Sequence, residues 1–335
     1  VSWRLRSSLL FVLLALMAPA SADAGKAGWV EGAKHWIGGL WPKSAANWLE
    51  RIGPALREQN YQGRLVIVSG NRVEALAVFH SFADGRERMR MLTLSGERRE
   101  VVRDSRVVMV IGADSAPVGY DNAGVNRWDP AERFSAAGKL ASYEARLGGD
   151  ARVAGREAQI VELRARDALR YGFRLWLDKQ TAIPLRIALL GESGQPLEQI
   201  AFTELRLGVP PAESDLRASG ARGLQRVQSL GQGKASDPGW RIAQPPPGFE
   251  LRAARRLGES VQLLYGDGLA NVSIYIEPTS PQQRGESVMR RGAVNAYSLS
   301  QGGRRVVAIG KVPPETVARF ARQVQAPTAK PGRDG

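Results

Sequence analysis

The sequence contains no cysteine and only two histidines in 335 residues. The first absence excludes disulfides, thiolate nucleophiles and cysteine metal sites, so the fold must be held by burial alone. The second leaves His35 and His80 as the usual neutral-pH bases. Neither belongs to a helical His-x-x-x-His or to a nucleophile elbow. His80 and Ser81 do not form a dyad, because successive strand residues point to opposite faces. His80 is expected at a strand end, facing solvent or satisfied by local partners. No phosphate-binding glycine loop followed by Lys-Ser/Thr is present, no calcium loop, and no histidine–carboxylate cluster at metal spacing. Carboxylates such as Glu74, Asp84, Glu97 and Glu100 are scattered among turns and strand ends and read as solvated charges. These absences point to a protein that is not an enzyme and uses neither metal nor cofactor.

Long apolar runs are also lacking, with one exception. Arg4 and Arg6 precede an apolar run over residues 9–17, followed by Ala18, Pro19, Ala20, Ser21, Ala22, Asp23 and Ala24. This order is that of a secretory signal peptide over residues 1–24, with cleavage after Ala22 or Ala24. The run is too short to span a bilayer comfortably, and no cysteine follows it to accept a lipid. The protein is therefore expected in the periplasm. Basic residues number 47 against 33 acidic ones, a net charge of +14, and 45 of the 47 remain once Arg4 and Arg6 leave with the leader. Such a balance favours an acidic protein segment, anionic lipid or lipopolysaccharide phosphates as partner, although a solvated basic surface needs no ligand. Export makes nucleic acid a poor target.

What is present is a succession of short branched and aromatic runs. Residues 43–60 read as a helix with Ser44 as N-cap and Trp48, Leu49, Ile52 and Leu56 on one stripe, kinked or broken at Pro54. Strands are expected over 64–69, 73–79, 86–94, 99–103 and 106–111, joined by Gly, Asn, Asp and Ser turns as an antiparallel meander. A less regular stretch over 112–149 holds a helix starting near Asp129 and Pro130. Strands resume over 157–164, 171–177, 184–190 and 198–205. About nine strands in one sheet should curl rather than lie flat. Alternation places Tyr171, Phe173, Leu175 and Leu177 on one face, Leu185, Ile187 and Leu189 together on the next strand, and Ile200 with Phe202 on another. Leu65, Ile67, Phe173, Leu175, Ile187, Leu189 and Phe202 are thus candidates to line an apolar ligand site. The competing reading is a core filled by the Trp48 helix.

Residues 209–238, rich in Gly, Ser, Ala, Gln and Pro, read as a linker between a β-rich domain over 25–208 and a smaller α+β domain over 239–326, with a disordered tail over 327–335. In the second domain a hairpin turns at Gly266-Asp267-Gly268, a second at Gly302-Gly303, and Pro313-Pro314 opens a helix with Val317, Phe320, Ala321 and Val324 on one face.

Several segments carry a family resemblance: 48–51 (WLER), 60–63 (NYQG), 94–103 (LSGERREVVR), 152–156 (RVAGR) and 310–317 (GKVPPETV), and above all 167–178 (DALRYGFRLWLD) and 264–278 (LYGDGLANVSIYIEP). Together they resemble the RseB/MucB family of periplasmic sigma-E regulators. Pro54, Gly266 and Lys311 depart from that pattern. The resemblance implies a mainly β fold: an unclosed antiparallel barrel of LolA/LolB type with a helical plug, and a smaller C-terminal α+β domain. It further implies binding to the periplasmic domain of a membrane-spanning anti-sigma factor of the RseA/MucA type, shielding it from site-1 proteolysis, with release by lipopolysaccharide or acyl chains. Tyr265, Asp267, Leu269 and Tyr275, around the C-terminal turn, are the candidate partner-binding residues. The oligomeric state is left open, a homo-oligomer included. A lipoprotein or lipid carrier using the same apolar face is the alternative.

Overall fold

The computed structural model describes residues 44–104, 107–112, 118–121, 134, 141–219, 225–226, 239–279 and 285–327. The leader, the helix expected near Asp129, most of 220–238 and the tail beyond 327 lie outside the described residues. The chain opens with two short helices, α1 (Ala45–Glu50) and α2 (Ile52–Glu58). Eleven strands follow: β1 (Tyr61–Ser69), β2 (Arg72–Ala83), β3 (Arg86–Thr93), β4 (Glu100–Arg103), β5 (Val107–Ile111), β6 (Val118–Asp121), β7 (Tyr143–Val153), β8 (Arg156–Ala165), β9 (Gly172–Asp178), β10 (Pro184–Leu190) and β11 (Pro196–Leu207). With β12 (Gln225–Arg226) they form a single sheet in the order β12-β6-β5-β4-β3-β2-β1-β11-β10-β9-β8-β7, antiparallel except for the β12–β6 pair. Among the described residues β7 and β12 end the order without pairing to each other, so the barrel is unclosed.

The helices form its plug. Ser44 caps α1 by accepting from the Asn47 N–H at 3.2 Å. Pro54 does not sit inside one long helix: the chain breaks at Arg51, so Pro54 falls in the first turn of α2, where its missing N–H removes no helical bond. Trp48, Leu49, Ile52 and Ala55 are buried against Leu65, Ile67, Leu76, Val161, Leu163, Phe173 and Leu175. The concave face is therefore occupied by the helical stripe. Leu185 departs from the simple alternation. A register shift between Pro184 and Arg186 turns it to the convex face, where it packs with Trp176, Ala158 and Ala188, while Ile187 and Leu189 stay on the concave side. At the seam between β1 and β11 the backbones approach so closely that a Cβ at Gly63 would lie 2.2 Å from the Glu204 carbonyl oxygen.

Two polar groups read as solvated or local are buried in the sheet. His80 is fully buried, stacked on Tyr61 at 4.5 Å, with Nδ1 2.7 Å from the Gln59 carbonyl and Nε2 3.0 Å from Glu87 Oε1, which belongs to a carboxylate that also pairs with Arg103. Glu100 is not a solvated turn charge. It is buried, accepts from Arg90 Nε at 2.8 Å and from the Ser219 N–H at 2.9 Å. Through these bonds residues 209–219, read from the sequence as the start of the linker, are strapped to β3: the short helix α3 (Glu213–Leu216) is held by Arg88 at 2.9 Å from Glu213, and Arg90 reaches the Asp215 carbonyl at 3.2 Å.

The second domain is a six-stranded antiparallel sheet, β14-β15-β16-β19-β18-β17, built from β14 (Glu250–Leu257), β15 (Ser260–Gly266), β16 (Asn271–Pro278), β17 (Ser287–Arg291), β18 (Val294–Gln301) and β19 (Arg304–Gly310). Helix α4 (Pro314–Arg322) covers one face, burying Val317, Phe320 and Ala321 against Val272, Ile274, Val306 and Ala308. A two-stranded ribbon, β13 (Arg241–Ile242) with β20 (Val324–Gln325), closes the domain.

The β9–β10 turn supplies a pH-dependent part of the stability. Asp178 is buried and accepts from Arg156 Nε at 2.6 Å, the Thr181 N–H at 2.8 Å and Thr181 Oγ1 at 2.9 Å. Burial pushes its carboxyl up, but Arg156 and Thr181 outweigh this and hold it below the usual range. A carboxyl whose folded pKa lies below its unfolded value, about 3.9, stabilises the fold fully above that value and ceases to do so as pH falls through the folded value. The stability gap between the wild type and Asp178→Asn should therefore be complete at pH 7 and narrow below about pH 4 in denaturant titrations. A gap constant down to pH 2 would contradict this assignment.

Candidate functional site

Where the two domains meet, polar and apolar groups from both are buried together. The β8–β9 connection of the first domain delivers Arg170, whose side chain is 0% exposed, against the β15–β16 turn of the second. Its Nη1 donates to Asp267 Oδ2 at 2.5 Å, its Nη2 to the Pro247 carbonyl at 2.5 Å, and its Nε to Asp167 at 2.9 Å. The guanidinium lies 4.8 Å from the Phe249 ring centroid. Burial acts against its charge, yet Asp167 and Asp267 hold its pKa above the ordinary value. Asp267 is equally enclosed: Oδ1 accepts from the N–H groups of Leu269 and Ala270 at 2.8 and 2.6 Å, and Oδ2 also accepts from the Tyr143 hydroxyl at 3.2 Å. One carboxylate thus shapes its own turn and pairs across the junction.

Further contacts extend this seam. Asn295 Nδ2 donates to the Tyr171 hydroxyl at 3.0 Å and to the Val312 carbonyl at 2.8 Å, and Thr316 Oγ1 donates to the Leu169 carbonyl at 2.8 Å. Burial pushes the Tyr171 phenol up, so it stays neutral. Lys311 Nζ lies 2.7 and 2.8 Å from the two oxygens of Glu198 on β11. Leu269 and Ala293 of the second domain insert into the core of the first. Gly292, in the left-handed region at φ +59, brings the β17–β18 turn against Ser69, where a Cβ would meet Ser69 Oγ at 2.7 Å. Beside this turn a cleft of about 440 Å³ opens between the domains, lined by Val68, Pro196, Leu197 and Glu198 on one side and by Arg290 and Gly292 on the other.

The sequence-derived candidates fall in four places. Leu65, Ile67, Phe173, Leu175 and Leu189 lie in the concave core, with Ile187 and Phe202 partly buried against it, so all seven share one wall behind the plug. Asp267 and Leu269 are buried in the junction. Tyr265 belongs to the second domain's core, 5.3 Å from Phe320, its hydroxyl accepting from the Ile242 N–H at 3.2 Å. Tyr275 is half-buried on the sheet face away from α4, its hydroxyl accepting from Gln262 at 3.1 Å. Sequence reasoning did not single out Arg170, Tyr143, Asn295 or the Lys311–Glu198 pair. Arg170 and Asp267 do lie in the two segments that carry the resemblance most strongly.

Comparison with known proteins shows that this two-part architecture recurs. Residues 44–219 match the MucB/RseB N-terminal domain and residues 234–325 the MucB/RseB C-terminal domain. The chain belongs to the MucB/RseB family. It is 33% identical to the Sigma factor AlgU regulatory protein MucB of Pseudomonas aeruginosa, over 96% of this chain and 98% of that one. It is 27% identical to the Sigma-E factor regulatory protein RseB of Salmonella typhimurium, over 83% and 89% of the two. The solved complex of Pseudomonas aeruginosa MucA and MucB contains a chain that superposes with a TM-score of 0.71 at 33% identity, covering 85% of this chain and 99% of that one. The relatives are regulatory proteins, and their match runs through both domains. No helix among the described residues is long and apolar enough to cross a membrane.

Proposed function

We propose that this protein is a periplasmic negative regulator of an envelope-stress sigma factor pathway, exported by a cleavable leader. It binds the periplasmic domain of a membrane-spanning anti-sigma factor of the RseA/MucA type and shields it from site-1 proteolysis. It makes and breaks no bond and needs no cofactor. The observation that carries this reading is the similarity, through both domains, to a MucB chain solved in complex with MucA.

The geometry supports a division of labour among the candidate residues. Asp267 and Leu269 act by fixing the second domain on the first, Tyr265 braces the turn that carries them, and Tyr275 offers its exposed edge to the partner. The wall formed by Leu65, Ile67, Phe173, Leu175, Ile187, Leu189 and Phe202 lies behind α1 and α2, so an acyl chain reaches it only when the plug moves. A lipid that prefers the displaced plug shifts the population away from the partner-binding state, which is the thermodynamic requirement for release. A carrier would instead need the concave face open to cargo, and Trp48, Leu49 and Ile52 fill it.

Calorimetric titration of the mature chain with the anti-sigma periplasmic segment is expected to show tight binding, weakened roughly 5- to 150-fold by lipopolysaccharide. Acyl-chain binding with no affinity for the segment would replace the regulator reading by the carrier.

A further inference from the structure

The edges of the two large sheets are not equivalent. A sheet edge exposes a row of unpaired N–H and C=O groups, and natural proteins blunt such edges with bulges, short strands or charge. β12 has two residues. β7 is bulged between Leu147 and Asp150, at Gly148 and Gly149. β14 has a register shift between Leu251 and Ala253. β17 has no bulge: its five residues pair with β18 in unbroken register, from Ser287 opposite Ser298 to Arg291 opposite Val294, and among the described residues no strand pairs with its other side. What blunts it is the charge of Arg290 and Arg291, which an acidic strand would neutralise.

Its side chains are also incompletely covered. Val288 lies opposite Tyr297 and Arg290 opposite Asn295, so the two share a face with side chains that are buried. Helix α4 packs on β16, β18 and β19, and beyond it Val288 is 69% exposed. The layer that covers this sheet therefore stops one strand short. At the same place Arg290 and Gly292 form one wall of the interdomain cleft, with Val68, Pro196 and Leu197 opposite. Glu198, the acidic group of that cleft, is neutralised by Lys311. Arg290 and Arg291 have no ion pair among the described residues.

We propose that β17 is the site where an extended acidic segment of the partner protein adds as a further strand. Main-chain bonds to β17 would supply affinity, and alternate side chains would face the cleft, an apolar one toward Val68 and Leu197 and an acidic one toward Arg290. The strand is held by its turn against Ser69, so the site exists only while the two domains are docked. This rests on the regulator reading and gives it a surface that both domains build.

The test uses the full mature chain and the synthetic periplasmic segment of the anti-sigma factor. Arg290→Glu with Arg291→Glu is compared with Arg255→Glu and Arg256→Glu on β14, an equal charge change at the opposite edge of the same sheet. The β17 pair is expected to weaken binding by about tenfold or more and the β14 pair by less than about threefold. In the wild type, hydrogen exchange should show new amide protection at residues 287–291 on binding, a readout independent of any variant. Equal loss from both pairs would mean general charge attraction and overturn the proposal, as would protection appearing elsewhere with β17 unchanged. Failure of the wild type to bind the segment would overturn the regulator reading first and this inference with it.

Discussion

Replacing Asp267 by alanine should destabilise the protein by about 3–5 kcal/mol, the cost of removing one partner from a fully buried ion pair. Arg170 would keep Asp167 but lose its partner across the junction, and the N–H groups of Leu269 and Ala270 would lose their acceptor. Arg170→Met should cost a similar amount, since the Asp267 carboxylate would remain buried opposite an apolar side chain. The pair reports on the junction rather than on either domain alone. Combining Arg170→Met with Asp267→Leu should therefore cost less than the sum of the single changes, by about 1–3 kcal/mol, because neither charge is then left unpaired. Urea unfolding of the four proteins measures this. The single variants are further expected to unfold in two separated steps, as the two sheets lose their common contact. Additive losses, or single-variant losses below about 1 kcal/mol, would show that the junction is held by its apolar contacts instead.

Trp48→Ala is expected to cost about 3–5 kcal/mol, the range for removing a large aromatic side chain from a packed core. Trp48 is 1% exposed, lies on a helix that packs against β7 and β8, and belongs to the core that fills the concave wall. The same variant should also uncover part of that wall. An environment-sensitive apolar dye and a fluorescent fatty acid should both bind more strongly to Trp48→Ala than to the wild type at temperatures where the variant remains folded by circular dichroism. A destabilised variant with unchanged dye and fatty-acid binding would separate the plug from any lipid response.

Much of the first domain was legible because its strands alternate in a way that only burial explains. Phe173, Leu175 and Leu177 occupy every second position of β9, and that period alone gives a shared face. Three of the strands that escaped reading are edges. β7, β14 and β17 bury little, carry Arg, Glu and Asp where interior strands carry branched residues, and so lack the signal on which the reading depends. Leu185 was misplaced for a different reason, since a bulge shifts the phase of alternation without a sequence mark. The junction was the least legible part. Asp267 reads locally as a turn residue, which it is, but its bond to a guanidinium 97 positions earlier is a property of the folded chain. Glu100 shows the same limit: it reads as a solvated charge until Arg90 and Ser219 are seen to converge on it, while for His80, expected to face solvent or be satisfied locally, the fold supplies Gln59 and Glu87.

The strap at residues 209–219 has a consequence for how such a molecule would reset. The chain leaves the first domain from β3 and pairs again at β12, the opposite end of the large sheet from β7, before the second domain begins. Residues 226 and 239 are only 13 positions apart, a span of at most about 45 Å when fully extended. Should the junction open, the two halves would still be joined by the chain, so that closing again is an intramolecular step. Opening and closing would then be a unimolecular event, indifferent to how many copies the compartment holds. A signal would need only to loosen the seam for as long as it lasts, and its withdrawal would let the same molecule close again without searching for its other half.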